Sequence, residues 1–243
     1  MGTSRIVAYS LLVLAYVLGL VSLIWCGVFL WAGPRQIVDL GLGTPMTLAF
    51  DGLLCLAFFL QHSGMVRRSF RLRLAAVLPT HYHRAVYAIA SGIVLLLLVV
   101  LWQPSRLAVF SLEGPLRWLA RGVSLAAIGG FAWAIGSLGQ LDSFGRGPIL
   151  AHLRGIPARA MPLTIRGPYR WVRHPFYASG LLFMWTHPDL TADRLLFDVL
   201  VTIWVIVGTL LEERDLAAEF GEAYSRYQRS VPMLVPWRLR RSV

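Results

Sequence analysis

The run Ile6-Val-Ala-Tyr-Ser-Leu-Leu-Val-Leu-Ala-Tyr-Val-Leu-Gly-Leu-Val-Ser-Leu-Ile-Trp-Cys-Gly-Val-Phe-Leu-Trp31 contains no charged side chain. At about 1.5 Å of rise per residue, a helix of this length exceeds the roughly 30 Å of hydrocarbon in a bilayer. It follows Arg5, is too long for the core of a signal peptide and lacks a clear small-residue cleavage site, so it reads as a retained first helix. Working outward, apolar runs at Pro45–Gln61, Ala85–Gln103 and Leu116–Leu138 predict three more spans, with Pro, Gly and Arg at the breaks. Phe176–His187 is too short to cross alone. Pro188-Asp189 and Ala192-Asp193 then make a turn into Leu195–Leu211, so these last two segments predict a helical hairpin. The expected fold class is all-α: an integral membrane helical bundle of about five to six transmembrane helices, with a C-terminal helical hairpin and a cytoplasmic amphipathic tail.

Composition agrees with that reading. Hydrophobic residues make up 57% of the 243 and charged residues only 14%, which places the chain with membrane proteins rather than soluble domains. The formal charge of +11 raises a nucleic-acid reading, but the positive residues lie between apolar segments rather than on one amphipathic face. No nucleic-acid partner is therefore expected. Cys26 and Cys55 sit inside apolar segments without metal-ligand spacing and read as buried small hydrophobes. No metal site is predicted.

Arg67, Arg68, Arg71, Arg73 and Arg84 lie between the second and third helices, against Arg35 alone between the first and second. The excess of arginine assigns the former segment to the cytoplasm. Counting crossings then puts the N-terminus, residues 140–175 and the tail on the cytoplasmic side, and the segments near Arg106 and Asp189 outside. No repeat or second domain is apparent. The chain reads as one domain over 1–243, with a four-helix part at 1–139 and a cofactor-binding part at 140–243. The Gly-, Pro- and Arg-rich segment Gln140–Pro175 is too long for a plain connector, and its specific polar and aromatic residues favour a functional role.

Two polar signatures flank the last hairpin: Arg166-Gly-Pro-Tyr-Arg-Trp-Val-Arg-His-Pro-Phe-Tyr177 before it, and Glu212-Glu-Arg-Asp-Leu-Ala-Ala-Glu-Phe-Gly-Glu-Ala-Tyr-Ser-Arg-Tyr227 after it. Charge beside hydrocarbon is costly, so such clusters need a purpose. Pro175 fits the first turn of the next helix, which holds His174 just before a helix N-terminus, where free amide donors suit a carboxylate. The alternative is that Arg170 and Arg173 anchor the helix to headgroups while His174 caps it. Glu212 and Glu213 end the apolar helix, where a cationic ligand is a suitable partner. Leu216, Phe220, Tyr224 and Tyr227 recur at helical spacing, which lets the tail continue as an interfacial helix; simple packing is the expected role of Phe220 and Tyr227.

The pattern Arg173-His174-Pro175-x-Tyr177, then Glu212-Glu213, Phe220-Gly221-x-x-Tyr224-x-x-Tyr227 and Val231-Pro232, resembles the isoprenylcysteine carboxyl methyltransferase and phospholipid methyltransferase superfamily. Gln61-His62-Ser63-Gly64-Met65 and Leu141-Asp142-Ser143-Phe144-Gly145 extend the likeness to bacterial membrane methanethiol S-methyltransferases and their NnrU-like relatives. The departure is Arg146-Gly147-Pro148, where those thiol enzymes lead one to expect Leu-Arg-Gln. The resemblance implies an integral-membrane methyltransferase that binds S-adenosylmethionine without a Rossmann domain, at the cytosolic end of its last helices in a bacterial inner membrane. No Gly-rich fingerprint after a strand argues for the soluble alternative.

By that resemblance His174 and Tyr177 hold the methionine or ribose part of the cofactor, Glu212 or Glu213 engages its amino group or ribose, and Tyr169, Arg170 and Arg173 are further candidates. The acceptor is expected to be a small thiol such as methanethiol or another membrane-soluble molecule, with isoprenylcysteine carboxylate or a membrane lipid as the second class. A thiol with a pKa near 8.5 is only partly ionised at neutral pH, and positive charge raises that fraction. Arg146, Arg166 or His62 could supply the field, which makes them the candidate catalytic residues. Asp51 reads as a structural hydrogen-bonding group. Two other classes stay open: a haem-binding NnrU-like isomerase using His62, His81, His83 or His152, and a binding or transport protein without turnover.

Overall fold

The computed structural model describes residues 2–139, 142–157 and 162–237. Among them, five helices are long and apolar enough to cross a membrane: α1 (Gly2–Ala32), α2 (Thr44–Val66), α4 (His83–Leu101, entered through a 3-10 turn at Thr80–Tyr82), α5 (Gly114–Leu138) and α8 (Ala192–Phe220). Shorter helices are α3 (Arg68–Ala75), α6 (Arg146–Arg154), α7 (Pro175–Trp185) and α9 (Glu222–Ser230). The protein is an all-α integral membrane protein, as the hydropathy pattern requires. Its described residues form two compact units: residues 2–106 with 142–157, and residues 107–139 with 162–237.

In the first unit α1 packs along α4. Ala8, Leu12, Ala15, Gly19 and Ser22 recur at steps of four and three, forming one stripe on α1, and Ala85, Ala88 and Gly92 face it from α4. Small residues let transmembrane backbones approach, which is where packing energy between helices in lipid comes from. The approach is tight: a Cβ on Gly92 would lie 2.9 Å from the Leu18 carbonyl oxygen. The notch at Gly19 is filled by Phe144, whose ring also packs against Tyr16 with centroids 4.7 Å apart. Asp142 then caps α6, accepting the backbone N–H of Arg146 and of Gly147 at 2.8 Å each. Asp-Ser-Phe-Gly is thus an anchoring motif, and the stretch expected as one long functional segment contains a regular helix. Leu141, the first residue of that motif, lies outside the described residues.

Asp51 is fully buried in α2 and accepts the Gln103 backbone N–H at 3.0 Å. Gln103 in turn donates to the Val38 and Leu101 carbonyls and accepts from Leu40 N–H. The carboxylate therefore satisfies the chain where α4 ends and unwinds, a structural role.

In the second unit α5 packs against α7, with Gly130 so close to Ser179 that a Cβ would fall 2.8 Å from its hydroxyl. The segments Ala108–Ser111 (β1) and Asp189–Thr191 (β2) form a short antiparallel pair, which hydropathy gave no reason to expect. The pairing fixes the connection before α5 and the hairpin turn at the same end of this unit, in agreement with the crossing count. Arg117 closes the arrangement by donating to both Asp189 carboxylate oxygens, at 2.8 and 2.6 Å. Beneath the turn Asp193, Arg194 and Asp198 are almost wholly buried.

One boundary differs from expectation. Glu212 and Glu213 do not end the apolar helix, because α8 runs on to Phe220. Residues 212–220 contain no Gly or Pro, and the helix stops at Gly221, whose φ of +58° suits glycine. The two glutamates are therefore held rigidly on a helix.

Candidate functional site

The second unit gathers the flanking signatures at one end. A 3-10 turn, Gly167–Arg170, leads to α7, and any side chain at Gly167 would be strained there: its φ is +53° and a Cβ would sit 2.3 Å from the Ser137 hydroxyl of α5. Pro175 occupies the first turn of α7 with His174 as its N-cap residue. The tail after α9 returns beside this junction, where Arg173 N–H donates to Pro232 O at 2.8 Å and His174 N–H donates to Met233 O at 3.1 Å. Tyr224 and Tyr227 pack with Leu163, Leu216 and Phe220 to hold α9 in place.

Glu213 sits at the centre. Arg173 donates Nε–H to Oε1 at 2.5 Å and Nη2–H to Oε2 at 2.9 Å, a two-pronged ion pair. His174 Nε2 lies 3.1 Å from Oε1, and Gln228 donates to Oε2 at 3.1 Å. The Arg173 and Glu213 side chains are only 10% and 8% exposed. The remaining guanidinium nitrogen, Nη1, donates to the carbonyls of Gln228, at 3.0 Å, and Val231. One buried ion pair thus joins the start of α7, the last third of α8, and α9 with the tail that follows it. With four donors in place, Glu213 has little acceptor capacity left.

Glu212 is arranged differently. Its side chain is 42% exposed. Tyr177 donates its hydroxyl to Oε2 at 2.7 Å, and Oε1 has no hydrogen-bond partner among the described residues. His174 bridges the two acids: its Nε2 meets Glu213, its Nδ1 lies 4.0 Å from Glu212 Oε2, and its ring stacks on Tyr177 at an interplanar angle of 9°. Tyr169 is nearby, since the Glu212 charge adds to burial in pushing its phenol up to about 12, and its carbonyl accepts the Tyr227 hydroxyl at 2.5 Å. Burial raises the Tyr224 and Tyr227 phenols as well. All three stay neutral donors at physiological pH.

Arg173, His174, Tyr177, Glu212 and Glu213 are therefore brought together, with Tyr169 beside them. Arg166 and Arg170 are exposed at the same junction. His62 and Arg146 belong to the first unit. His62 packs between Phe58 and Tyr87, with the Tyr87 hydroxyl 2.7 Å from Nε2, and Arg146 is exposed at the start of α6. Gln228 was not foreseen as a site residue. It lies one helical turn after Tyr224, but nothing in the sequence paired it with Glu213. Of the histidines considered for haem, His83 Nε2 bonds the Leu78 carbonyl at 3.0 Å. His81 stacks face to face on His152 at 3.7 Å, an arrangement that does not offer nitrogens to opposite sides of an iron.

Fold and site together define an α-helical integral membrane protein with a polar, aromatic-lined site at one end of its last helices. Its sequence identifies the group within that class. The family described as NnrU protein matches residues 52–236, and the chain belongs to that family. It is 37% identical over 216 residues to a methanethiol S-methyltransferase of Pseudomonas deceptionensis, covering 84% of this chain and 79% of the relative. Two proteins of Bradyrhizobium diazoefficiens are also similar: methanethiol S-methyltransferase 2, 36% identical with 82% of this chain and 78% of the relative covered, and methanethiol S-methyltransferase 1, 30% identical with 96% and 84% covered. No solved structure matches the chain.

Proposed function

We propose that the protein is a membrane methyltransferase that transfers a methyl group from S-adenosylmethionine to a small thiol, with methanethiol the first candidate and dimethyl sulfide its product. Relatives bearing the name methanethiol S-methyltransferase support the reaction class. The observation that carries the cofactor assignment is the asymmetry of the two glutamates. Glu213 is saturated by Arg173, His174 and Gln228, whereas Glu212 keeps a half-exposed carboxylate beside the Tyr177 and Tyr169 rings. A half-exposed carboxylate held by one tyrosine hydroxyl, with a second tyrosine near enough to feel its charge, fits a ligand that carries an ammonium, a sulfonium and ribose hydroxyls.

Glu212 is accordingly the cofactor-binding acid, with Tyr177 orienting it. Glu213 and Arg173 are positioning residues that hold His174 and the tail. His174 keeps Nδ1 directed toward Glu212 by anchoring Nε2 on Glu213. When bound, S-adenosylmethionine supplies a methyl carbon already made electrophilic by its sulfonium, so the chain's task is alignment and thiol ionisation. The exposed Arg166 and Arg170 provide positive charge at this junction, which favours a thiolate over a thiol. Placement in a bacterial inner membrane with the cofactor site toward the cytoplasm accords with the arginine distribution and with the supply of a soluble methyl donor.

The test is incubation of purified protein with methyl-labelled S-adenosylmethionine and a panel of methanethiol, longer thiols, a prenylcysteine and phosphatidylethanolamine. Labelled dimethyl sulfide in the headspace is the expected product. Label found only in the prenylcysteine or the lipid would overturn the thiol assignment, and label in none would overturn the proposed activity.

A further inference from the structure

The segment from Arg68 to Val77 is unlike the rest of the first unit, because it has little protein around it. Every residue from Arg68 to Val77 except Leu74 is exposed, and α3 makes its principal contacts with α2, the helix it follows. Its neighbours in sequence, α2 and α4, are both membrane spans, so the connection between them lies where a bilayer meets water. That location explains a composition that would be unfavourable in water alone. Leu72 is 63% exposed, Val77 81% and Phe70 37%, interleaved with Arg68, Arg71 and Arg73. At such a boundary apolar side chains can seat among acyl chains while guanidinium groups reach phosphates.

The charges have no counterpart in this stretch of chain. Between Asp51 and Glu113 the sequence contains no acidic residue. Among the described residues no ion pair engages Arg68, Arg71 or Arg73, whereas Arg84, at the start of α4, has Asp142 4.0 Å away. Three unneutralised guanidinium groups on two turns of helix, with apolar residues between them, match a surface that is both anionic and apolar beneath.

We propose that α3 and the turn after it form an anionic-phospholipid binding element, taking phosphatidylglycerol- or cardiolipin-type headgroups through Arg68, Arg71 and Arg73 and acyl chains through Phe70, Leu72 and Val77. Guanidinium suits this partner because it gives phosphate a planar, two-pronged set of donors. The assignment does not depend on the proposed methyl transfer and uses none of the residues placed at the cofactor site.

The experiment is reconstitution of the full-length protein into nanodiscs made from an equimolar mixture of phosphatidylcholine and phosphatidylglycerol. The bound lipids are then identified by native mass spectrometry after release. Enrichment of phosphatidylglycerol on the wild-type protein is expected. Each arginine near an anionic surface contributes about a fivefold preference, so the triple variant Arg68→Gln, Arg71→Gln, Arg73→Gln should lose the enrichment by one to two orders of magnitude. An Arg→Lys triple variant keeps the charge and should keep most of the preference. Enrichment on the wild type should also fall as sodium chloride is raised, a readout that needs no variant. Equal retention of the two lipids by wild type, insensitivity to salt, or unchanged enrichment in the Gln triple variant would each overturn the proposal. So would preferential capture of added RNA over anionic nanodiscs.

Discussion

The Arg173–Glu213 pair makes a strong quantitative prediction. Both side chains are nearly buried and meet through two hydrogen bonds of 2.5 and 2.9 Å. Replacing Glu213 by Leu strands a guanidinium among the carbonyls of Gln228 and Val231. Replacing Arg173 by Met strands a carboxylate supported only by His174 and Gln228. Removing one member of such a pair typically costs about 3–5 kcal/mol, because an uncompensated charge stays buried. Removing both leaves no charge to bury, and an apolar pair of similar volume is often close to neutral. The double variant should thus be more stable than the sum of the single losses by about 3 kcal/mol or more, a large coupling for two contacting residues.

The assay is equilibrium unfolding of wild type, Arg173→Met, Glu213→Leu and the double variant in mixed micelles, followed by tryptophan fluorescence. Cofactor affinity is measured by calorimetry on the folded fraction. Strong non-additivity, with cofactor affinity in the double variant within about tenfold of wild type, is the expected outcome. The tenfold allowance corresponds to about 1.4 kcal/mol of residual disorder at the junction. Additive losses below about 1 kcal/mol would mean that the pair is solvated and does not clamp the tail. Recovery of stability without any recovery of cofactor affinity would make Glu213 a direct ligand and refute its assignment as a positioning residue.

The other expectations follow from single contacts. Glu212→Gln should weaken S-adenosylmethionine binding at least about tenfold while leaving the unfolding midpoint unchanged, because that side chain is exposed and charge-assisted contacts contribute about 1.5–3 kcal/mol; equal affinity in calorimetry would remove it from the site. Gly167→Ala should destabilise by about 2 kcal/mol or more, through the left-handed backbone and the contact with Ser137, and a wild-type melting temperature would contradict the geometry. Asp142→Ala should cost about 1 kcal/mol by uncapping α6 and should speed hydrogen exchange of the Arg146 and Gly147 amides, readable by mass spectrometry. Burial and then the Arg194 charge lower the His187 imidazole from about 6.5 to about 4, so the unfolded chain binds the extra proton in that interval. Stability should therefore be full above pH 6.5 and decline toward pH 4, and His187→Gln should flatten that limb; an unchanged profile would assign the decline elsewhere. Asp189, held below the ordinary carboxylate range by Arg117, acts only at still lower pH.

The parts of the fold set by water and hydrocarbon were legible in the chain. Length and apolarity give the five spans, and the shortness of residues 176–187 gives a helix that cannot cross alone. The close contacts were not read from the sequence, although they leave a signal there that hydropathy averages away. Ala8, Ala15 and Gly19 stand against Ala85, Ala88 and Gly92, and small residues at helical spacing in an apolar run mark a helix contact in lipid. What stayed hidden depends on partners distant in sequence. The β1–β2 pair joins residues about eighty apart through backbone groups that any sequence possesses, so composition could not reveal it.

The site illustrates the same limit. The two signatures named side chains that converge: Arg173, His174, Tyr177, Glu212 and Glu213 lie together. Sequence adjacency could not separate Glu212 from Glu213, because neighbours on a helix point about 100° apart and so meet different surroundings. One faces Arg173, His174 and Gln228, and the other faces Tyr177 and solvent. The different surroundings of identical adjacent residues come from that rotation. A motif therefore located the cluster, while the contrast within it, one glutamate bonded to Arg173, His174 and Gln228 and the other half exposed, had to come from three dimensions.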